Sequence, residues 1–581
     1  MVTKARLRGL IDAASGRKRA DLCITNAKVL DVYNKEWFES DVLISDGLIC
    51  GFSPKGTALA STVVDGGGRY LVPGFIDGHV HIESSHATPE EFSNLVVPCG
   101  TTTVVADPHE ICNVCGLDGL YYMLDASKDT ALQAFFVVPS CVPATTFEHS
   151  GATILADDLS DPLKHERVLG LGEMMDYPGV IAASDLVIDK LLEAKRIGKI
   201  IDGHSPAVSG SDLDAYSASG IHTDHECETA EELRERVRRG MYVMLREGSA
   251  CNNVLALLGG VSERNSRRCI FCTDDRQPIS ILSEGHINNN VRLAVQAGLD
   301  PIEALCMATI NSCDCYRLTD RGAIAPGLRA DFCLVNDLDS FSMHQVYVAG
   351  TLVAQDGAML KPAVSRPDAR VSGKMDVKHF SSDRLALHLE SGHVRVIDIV
   401  PDGVVTEAGE AEVTVKDGLW VHDKRMDIIK LAVVERHKGT GNVALALLRG
   451  YGLQGGAMAT SVAHDSHNII VAGDNDADME KAVNHLISTG GGMVIVQKGE
   501  ILASFDQPVA GLISYERGAS IAEHLKALHA IAQEKLKVSK TIDPFMTLCF
   551  MSLPVIPAYK LTDMGLFDVR SFSFVPLELN R

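Results

Sequence analysis

The chain contains no apolar run approaching the roughly 20 residues a membrane-spanning helix needs. Its basic start, "MVTKARLRGLIDAASGRKRADL", lacks the continuous apolar segment of a secretory signal. That start reads as an amphipathic leading helix, and a cytoplasmic protein with no membrane partner is expected. Positive charge is also in deficit: 54 lysines and arginines face 76 aspartates and glutamates, a formal charge of −22. Such a field repels nucleic-acid backbones and anionic lipid, so no nucleic-acid partner is expected and a small neutral or cationic substrate suits the chain better. Low-complexity tracts and short-period repeats are missing as well. Aromatic residues are few, at 5%, while hydrophobic residues make up 46% and charged residues 22%. This is ordinary for a soluble enzyme and excludes a disordered chain.

What is present is length and cysteine. At 581 residues the chain exceeds one compact core and predicts two to four domains. Its 15 cysteines are scattered through apolar stretches such as "RCIFCTDD", a pattern of reduced thiols rather than a disulfide framework.

Residues 1–72 hold a leading helix and short strands with turns, and the same texture returns at 319–362; together they predict one small composite β domain. Between them, eight strand-like runs alternate with helical patterns: "PGFIDGHVH", "TTTVVADPH", "QAFFVVPS", "VLGLGEMMD", "KIIDGHSP", "SGIHTDHE", "MYVMLREGS" and "CIFCTDD". "ASDLVIDKLLEAKRIG" and "TAEELRERVRRG" have the helical period of crossovers. Eight such units predict a (β/α)₈ TIM-like barrel over 73–318, and a C-terminal α/β (α+β) domain over 363–581 follows it.

The polar residues cluster at the C-terminal ends of those runs, the face where barrel active sites lie. In "FIDGHVHIESS" the alternation of a strand turns His79 and His81 toward one side, and Glu83 follows at the same interval. Asp107 and His109, Glu173 and Asp176, His204, Asp224 and His225, Glu247, Asp274 and Asp275 follow at later ends. Any one of them alone reads as a hydrogen-bonded rim residue. As a set, imidazoles and carboxylates in this order can hold two divalent metals, and zinc, manganese or ferrous iron suits them.

With these stretches the chain resembles the amidohydrolase superfamily of metal-dependent hydrolases, and within it the bacterial adenine deaminases. "GLGEMMD", the "HIESS" extension, "VVERHKGTG" and "SVAHDSHNIIVAGDND" carry the narrower likeness. The resemblance implies two divalent ions, Mn²⁺ or Fe²⁺ with Zn²⁺ as a further option. His79 and His81 would bind the first, His204 and His225 the second, Glu173 would bridge them, and Asp274 would bind the first and shuttle the proton. It further implies hydrolytic deamination of adenine to hypoxanthine and ammonia, with metal-bound hydroxide attacking C6. Glu83, His109 and Glu110 are the candidates for protonating the purine ring. Asp107 is expected to orient the water or flank the metals, Ser85, Glu110, Arg276 and His467 to contact the purine, and the chain to form a homodimer or larger homo-oligomer.

Rival readings are an amidohydrolase acting on a cyclic amide, an N-acetyl sugar or a modified purine, and a non-catalytic scaffold. "HIE" followed by "CNVC" mimics a cytidine-type zinc deaminase, but Ile111 stands where that signature has proline. "VAHDSHN" at 462–468 reads either as solvated loop residues or a local hydrogen-bonded turn, or as a segment that covers the barrel mouth.

Overall fold

The computed structural model describes residues 3–57, 59–401 and 405–579. Eight parallel strands succeed one another in it: β1 (Phe75–Val80), β2 (Thr101–Ala106), β3 (Gln133–Val138), β4 (Val168–Met174), β5 (Ile200–Gly203), β6 (Thr223–Asp224), β7 (Tyr242–Arg246) and β8 (Cys269–Cys272). Strands β1 to β5 pair in chain order, as do β6 to β8. Two seams close the ring. His222 N donates to Ile201 O at 2.9 Å beside β5 and β6, and Asp274 N donates to His79 O at 2.9 Å between β8 and β1. The outcome is the (β/α)₈ barrel that the eight runs predict.

The strands follow from their composition. β2 ("TTTVVA"), β7 ("YVMLR") and β8 ("CIFC") are buried at every residue, as parallel strands covered on both faces require. The predicted crossovers are helices. Asp185–Ile197 carries Lys195 and Arg196 in its last turn and stops at left-handed Gly198, while Ala230–Arg238 starts from a capping box of Thr229 and Glu232. The leading helix runs over Lys4–Ala14.

A seven-stranded sheet joins both flanks of the barrel. It takes Lys28–Asp31, Glu36–Glu39 and Tyr70–Pro73 from one side and Phe332–Val335, Met343–Val348, Thr351–Gln355 and Ala358–Met359 from the other, with Val72 opposite Cys333. Beyond it lies an eight-stranded sheet from the C-terminal third, which includes Ile428–Val434 at its centre and carries the helix Asp476–Thr489 against it. "STGGGMVIV" enters this sheet: a Cβ on Gly491 would lie 2.4 Å from Gly511 Cα, so the glycines serve close backbone approach.

The C-terminal sheet is seated on the barrel. Gly518 N donates to Glu91 Oε1 at 2.8 Å, Ser514 N to His86 O at 2.8 Å, and His149 Nδ1 lies 2.6 Å from Asp563 Oδ2. Phe92 and Leu95 of the barrel share one apolar core with Ile513, Ile521 and Leu525. All fifteen cysteines are free. No helix among the described residues is long and apolar enough to cross a membrane.

Candidate metal centre and its cavity

The C-terminal ends of the barrel strands converge on a cavity of about 260 Å³. His79 closes β1 with His81 just beyond it, and their Nε2 atoms lie 3.2 Å apart. His81 Nδ1 donates to Asp107 O at 2.9 Å, which fixes the tautomer and turns the Nε2 lone pair inward. Asp274 Oδ1 stands 3.0 Å from His81 Nε2 and 3.7 Å from His79 Nε2. Across the centre, Glu173 Oε2 is 2.9 Å from His204 Nδ1 and 3.3 Å from His225 Nε2, while its Oε1 is 3.4 Å from His81 Nε2. Glu173 thus sits between the two histidine pairs.

This donor set fits divalent cations. Inward lone pairs and carboxylate oxygens repel one another unless positive charge lies among them, and the groups with ligand atoms within 4.8 Å of each other include His79, His81 and Asp274; His79, Glu173 and His225; His81, His109 and Glu173; and His204, His225 and Glu226. Every donor is nitrogen or oxygen, and none is sulfur.

Electrostatics keep the carboxylates ionised. Burial opposes charge on Asp274, yet the adjoining His81 and the Arg246 guanidinium hold it well below the usual carboxylate range. Burial likewise opposes charge on Glu173, and His109, His204 and His225 outweigh it. Asp107 Oδ2 accepts from Glu173 N at 2.9 Å, while His109 Nδ1 lies 3.1 Å from Glu173 Oε1. Asp107 therefore holds the backbone of the glutamate, and His109 meets its Oε1, the oxygen that also faces His81.

Other expected residues stand elsewhere. Ser85 is fully buried in a short turn and donates to Ile82 O at 2.6 Å, so its hydroxyl is spent locally. Arg276, 1% exposed, donates to Gly285 O at 3.0 Å and Glu247 O at 2.6 Å and meets Glu284 Oε2 at 2.8 Å. Its guanidinium ties loops together, and neither Arg276 nor Ser85, both expected at the purine, is among the residues that line this cavity. Glu83 accepts from Ile111 N at 3.1 Å, and burial pushes its carboxyl up to about 7; it too lies outside the lining. His467 is buried behind Glu110, whereas Glu110 itself reaches the wall. Asp224 pairs with buried Arg236 at 2.8 Å, and Asp176 caps a helix through Gly179 N.

Three wall residues escape a reading of strand ends. Arg246 donates to Asp274 Oδ2 at 2.8 Å and also binds Glu226. Glu226 lies 3.3 Å from His225 Nε2, and Arg246 holds it far below the usual carboxylate range despite burial. His464 arrives from the C-terminal sheet unit with Asp465, Phe550, Leu553, Val555, Ile556 and Pro557, so "VAHDSHN" is a local hydrogen-bonded turn, His467 N donating to Ala463 O at 2.8 Å, that is buried and reaches the cavity wall. "DHE" and "LREGSA" were the only signals for the first two, since each puts a charge directly beside a strand end.

Comparison with known proteins agrees with this architecture. Residues 70–353 match the amidohydrolase family, and residues 403–573 match the adenine deaminase C-terminal domain. The adenine deaminase 2 of Desulfotalea psychrophila is 52% identical over 99% of this chain and 100% of its own length. The adenine deaminase of Nitratidesulfovibrio vulgaris strain DP4 is 50% identical over 99% of each, and the adenine deaminase 2 of Carboxydothermus hydrogenoformans is 47% identical over 99% of this chain and 100% of its own. With a barrel of one family and a C-terminal unit of the other running in one chain, this protein belongs to the adenine deaminases of the amidohydrolase family.

Proposed function

We propose that the protein hydrolytically deaminates adenine, giving hypoxanthine and ammonia. The observation that carries this is the joint lining of one cavity: a metal-type donor set from the barrel and an apolar wall from the part matching the adenine deaminase C-terminal domain.

In this reading His79, His81 and Asp274 would hold one divalent ion and His204 and His225 another, with Glu173, which lies between the two histidine pairs, serving both. Such ions, when bound, lower the pKa of a water and offset developing charge. Asp274 takes a proton from the attacking water and delivers it to the departing amine. Arg246 anchors Oδ2 and so fixes the carboxylate in the cavity. Asp107 and His109 keep Glu173 in place. Phe550, Leu553, Ile556 and Pro557 exclude bulk water and so strengthen every charge interaction inside.

The nitrogen and oxygen donors accept Mn²⁺, Fe²⁺ or Zn²⁺ alike, and the family likeness is what puts Mn²⁺ or Fe²⁺ first. Fifteen free cysteines support a reducing, cytoplasmic location. We divide the chain into a composite β domain (1–72 with 319–362), the barrel (73–318) and a C-terminal domain (363–581), and expect a homodimer or larger homo-oligomer. The test reconstitutes purified protein separately with each metal and assays ammonia from purines and cyclic amides. Ammonia and hypoxanthine from adenine are expected; ring opening of a cyclic amide with no reaction on adenine overturns the reading.

A further inference from the structure

Attack on C6 of a purine pushes the electron pair of the N1–C6 double bond onto N1, which must be protonated as aromaticity is lost. A donor has to face the cavity, and its proton has to be held in place. Glu83 is outside the lining, Glu110 is already an acceptor on both oxygens, and His109 has both ring nitrogens on carboxylates, Nδ1 at 3.1 Å from Glu173 Oε1 and Nε2 at 3.4 Å from Glu110 Oε1.

Those two acceptor bonds form a directed chain. His467 Nδ1 accepts from Ala463 N at 3.1 Å, so its proton sits on Nε2 and is donated to Glu110 Oε2. Glu110 Oε1 receives His464 Nδ1 at 2.6 Å. Nδ1 being committed, Nε2 is the His464 atom left to meet a ligand, and His464 lines the cavity that also holds His81, Glu173 and Asp274. The ring is fixed further: it stacks on Phe550 at 4.6 Å with 26° between planes, its backbone N donates to Cys549 O at 3.2 Å, and Ser552 Oγ donates to its carbonyl at 3.2 Å. Glu110, His464 and His467 are close enough to bind a cation, but the inward proton on His467 Nε2 argues against one there.

We propose that His464 is the catalytic acid that protonates purine N1 from Nε2, with Glu110 and His467 as the positioning residues behind it. This rests on the deamination reading above. The water oxygen bonds to C6 as one water proton passes to Asp274, and N1 takes the His464 proton. Asp274 then protonates the amine, the C6–N bond breaks to release ammonia, and the remaining hydroxyl proton returns through solvent to His464 as the C6 carbonyl forms. Hypoxanthine leaves with its N1 protonated, so atoms and charge balance.

The charges around His464 agree. Burial opposes its protonation, but Glu110, with Asp275 and Asp465, pulls its pKa up to about 9; neutral His467 and His86 face it without adding positive charge. It is therefore an acid at neutral pH.

The test compares wild type with H464N, H464Q and E110Q, all metal-loaded, with melting temperature and metal content as controls. H464N and H464Q should keep their metal and lose about 10²–10⁴-fold in kcat with little change in KM. The fall in kcat/KM on the basic side, set by loss of the His464 proton near pH 9, should vanish in both. E110Q should instead move that fall to lower pH, because removing the anion weakens the hold on the proton. Wild-type kcat and an unchanged basic limb in either His464 variant overturn the proposal while leaving deamination intact. A wild-type enzyme that releases no ammonia from adenine overturns both.

Discussion

Asp274 occupies the left-handed backbone region at φ 58°, unusual for a residue with a side chain. The bend lets its amide donate to His79 O at 2.9 Å and its carbonyl accept from His81 N at 3.1 Å, while its carboxylate turns back toward both imidazoles. Asp274→Asn preserves that shape and an oxygen donor but cannot carry a proton. It should retain metal, measured by elemental analysis, and lose about 10²–10⁴-fold in kcat. Near-normal turnover would move the proton shuttle to Asp275. Glu173→Gln should act on metal first: a neutral amide compensates less charge between two cations, so metal per chain should drop by about half. Full occupancy with normal turnover would make Glu173 a strand-end brace. His79→Ala and His81→Ala should each lower bound metal and abolish ammonia release while circular dichroism stays native.

At the scale of strands and turns, β4 shows how closely the barrel is fitted around its chemistry. Gly172 faces Asp107, and a Cβ there would lie 2.3 Å from Asp107 Oδ2, the atom that receives Glu173 N. Gly172→Ala should therefore displace a buried carboxylate, lowering stability by about 1–3 kcal/mol in denaturant titration and activity more than stability alone explains. A variant with native stability and kcat would show that Asp107 can move freely. The same elements show what could be read from sequence. His79 and His81 were legible because the two-residue strand period puts both on one side, and Glu173, His204, His225 and Asp274 because the ends of barrel strands share one face. Ser85 and Arg276 stand apart from the cavity lining because adjacency in sequence says nothing of direction once a turn intervenes: one closes a short 3-10 helix, the other a knot of loop carbonyls. Arg246 and Glu226 were hidden for the opposite reason. A charged residue at a strand end looks the same whether it meets solvent or Asp274.

The whole molecule explains why the remaining wall was illegible. Phe550, Leu553 and Ile556 reach the cavity only because an entire C-terminal sheet is seated on the barrel, and no periodicity links them to residues near 80 or 274. The seat is extensive: Glu91 takes Gly518 N and Arg517, His86 meets Ser514 N and Gln507, and the apolar core runs unbroken from Phe92 to Leu525. A chain ending at residue 365 should thus lose activity, but also expose that core, so its inactivity alone would not separate a missing wall from a misfolded barrel. Supplying residues 366–581 as a second polypeptide makes the distinction. Co-expression of the two pieces should give a soluble complex, seen by size-exclusion chromatography, that regains ammonia release, because the contacts joining them need no covalent link. The same complex carrying H464N in the second piece should assemble equally well yet stay nearly inactive. If residues 1–365 alone deaminate adenine at the full-length rate, the barrel needs no cover, and the C-terminal sheet serves stability instead.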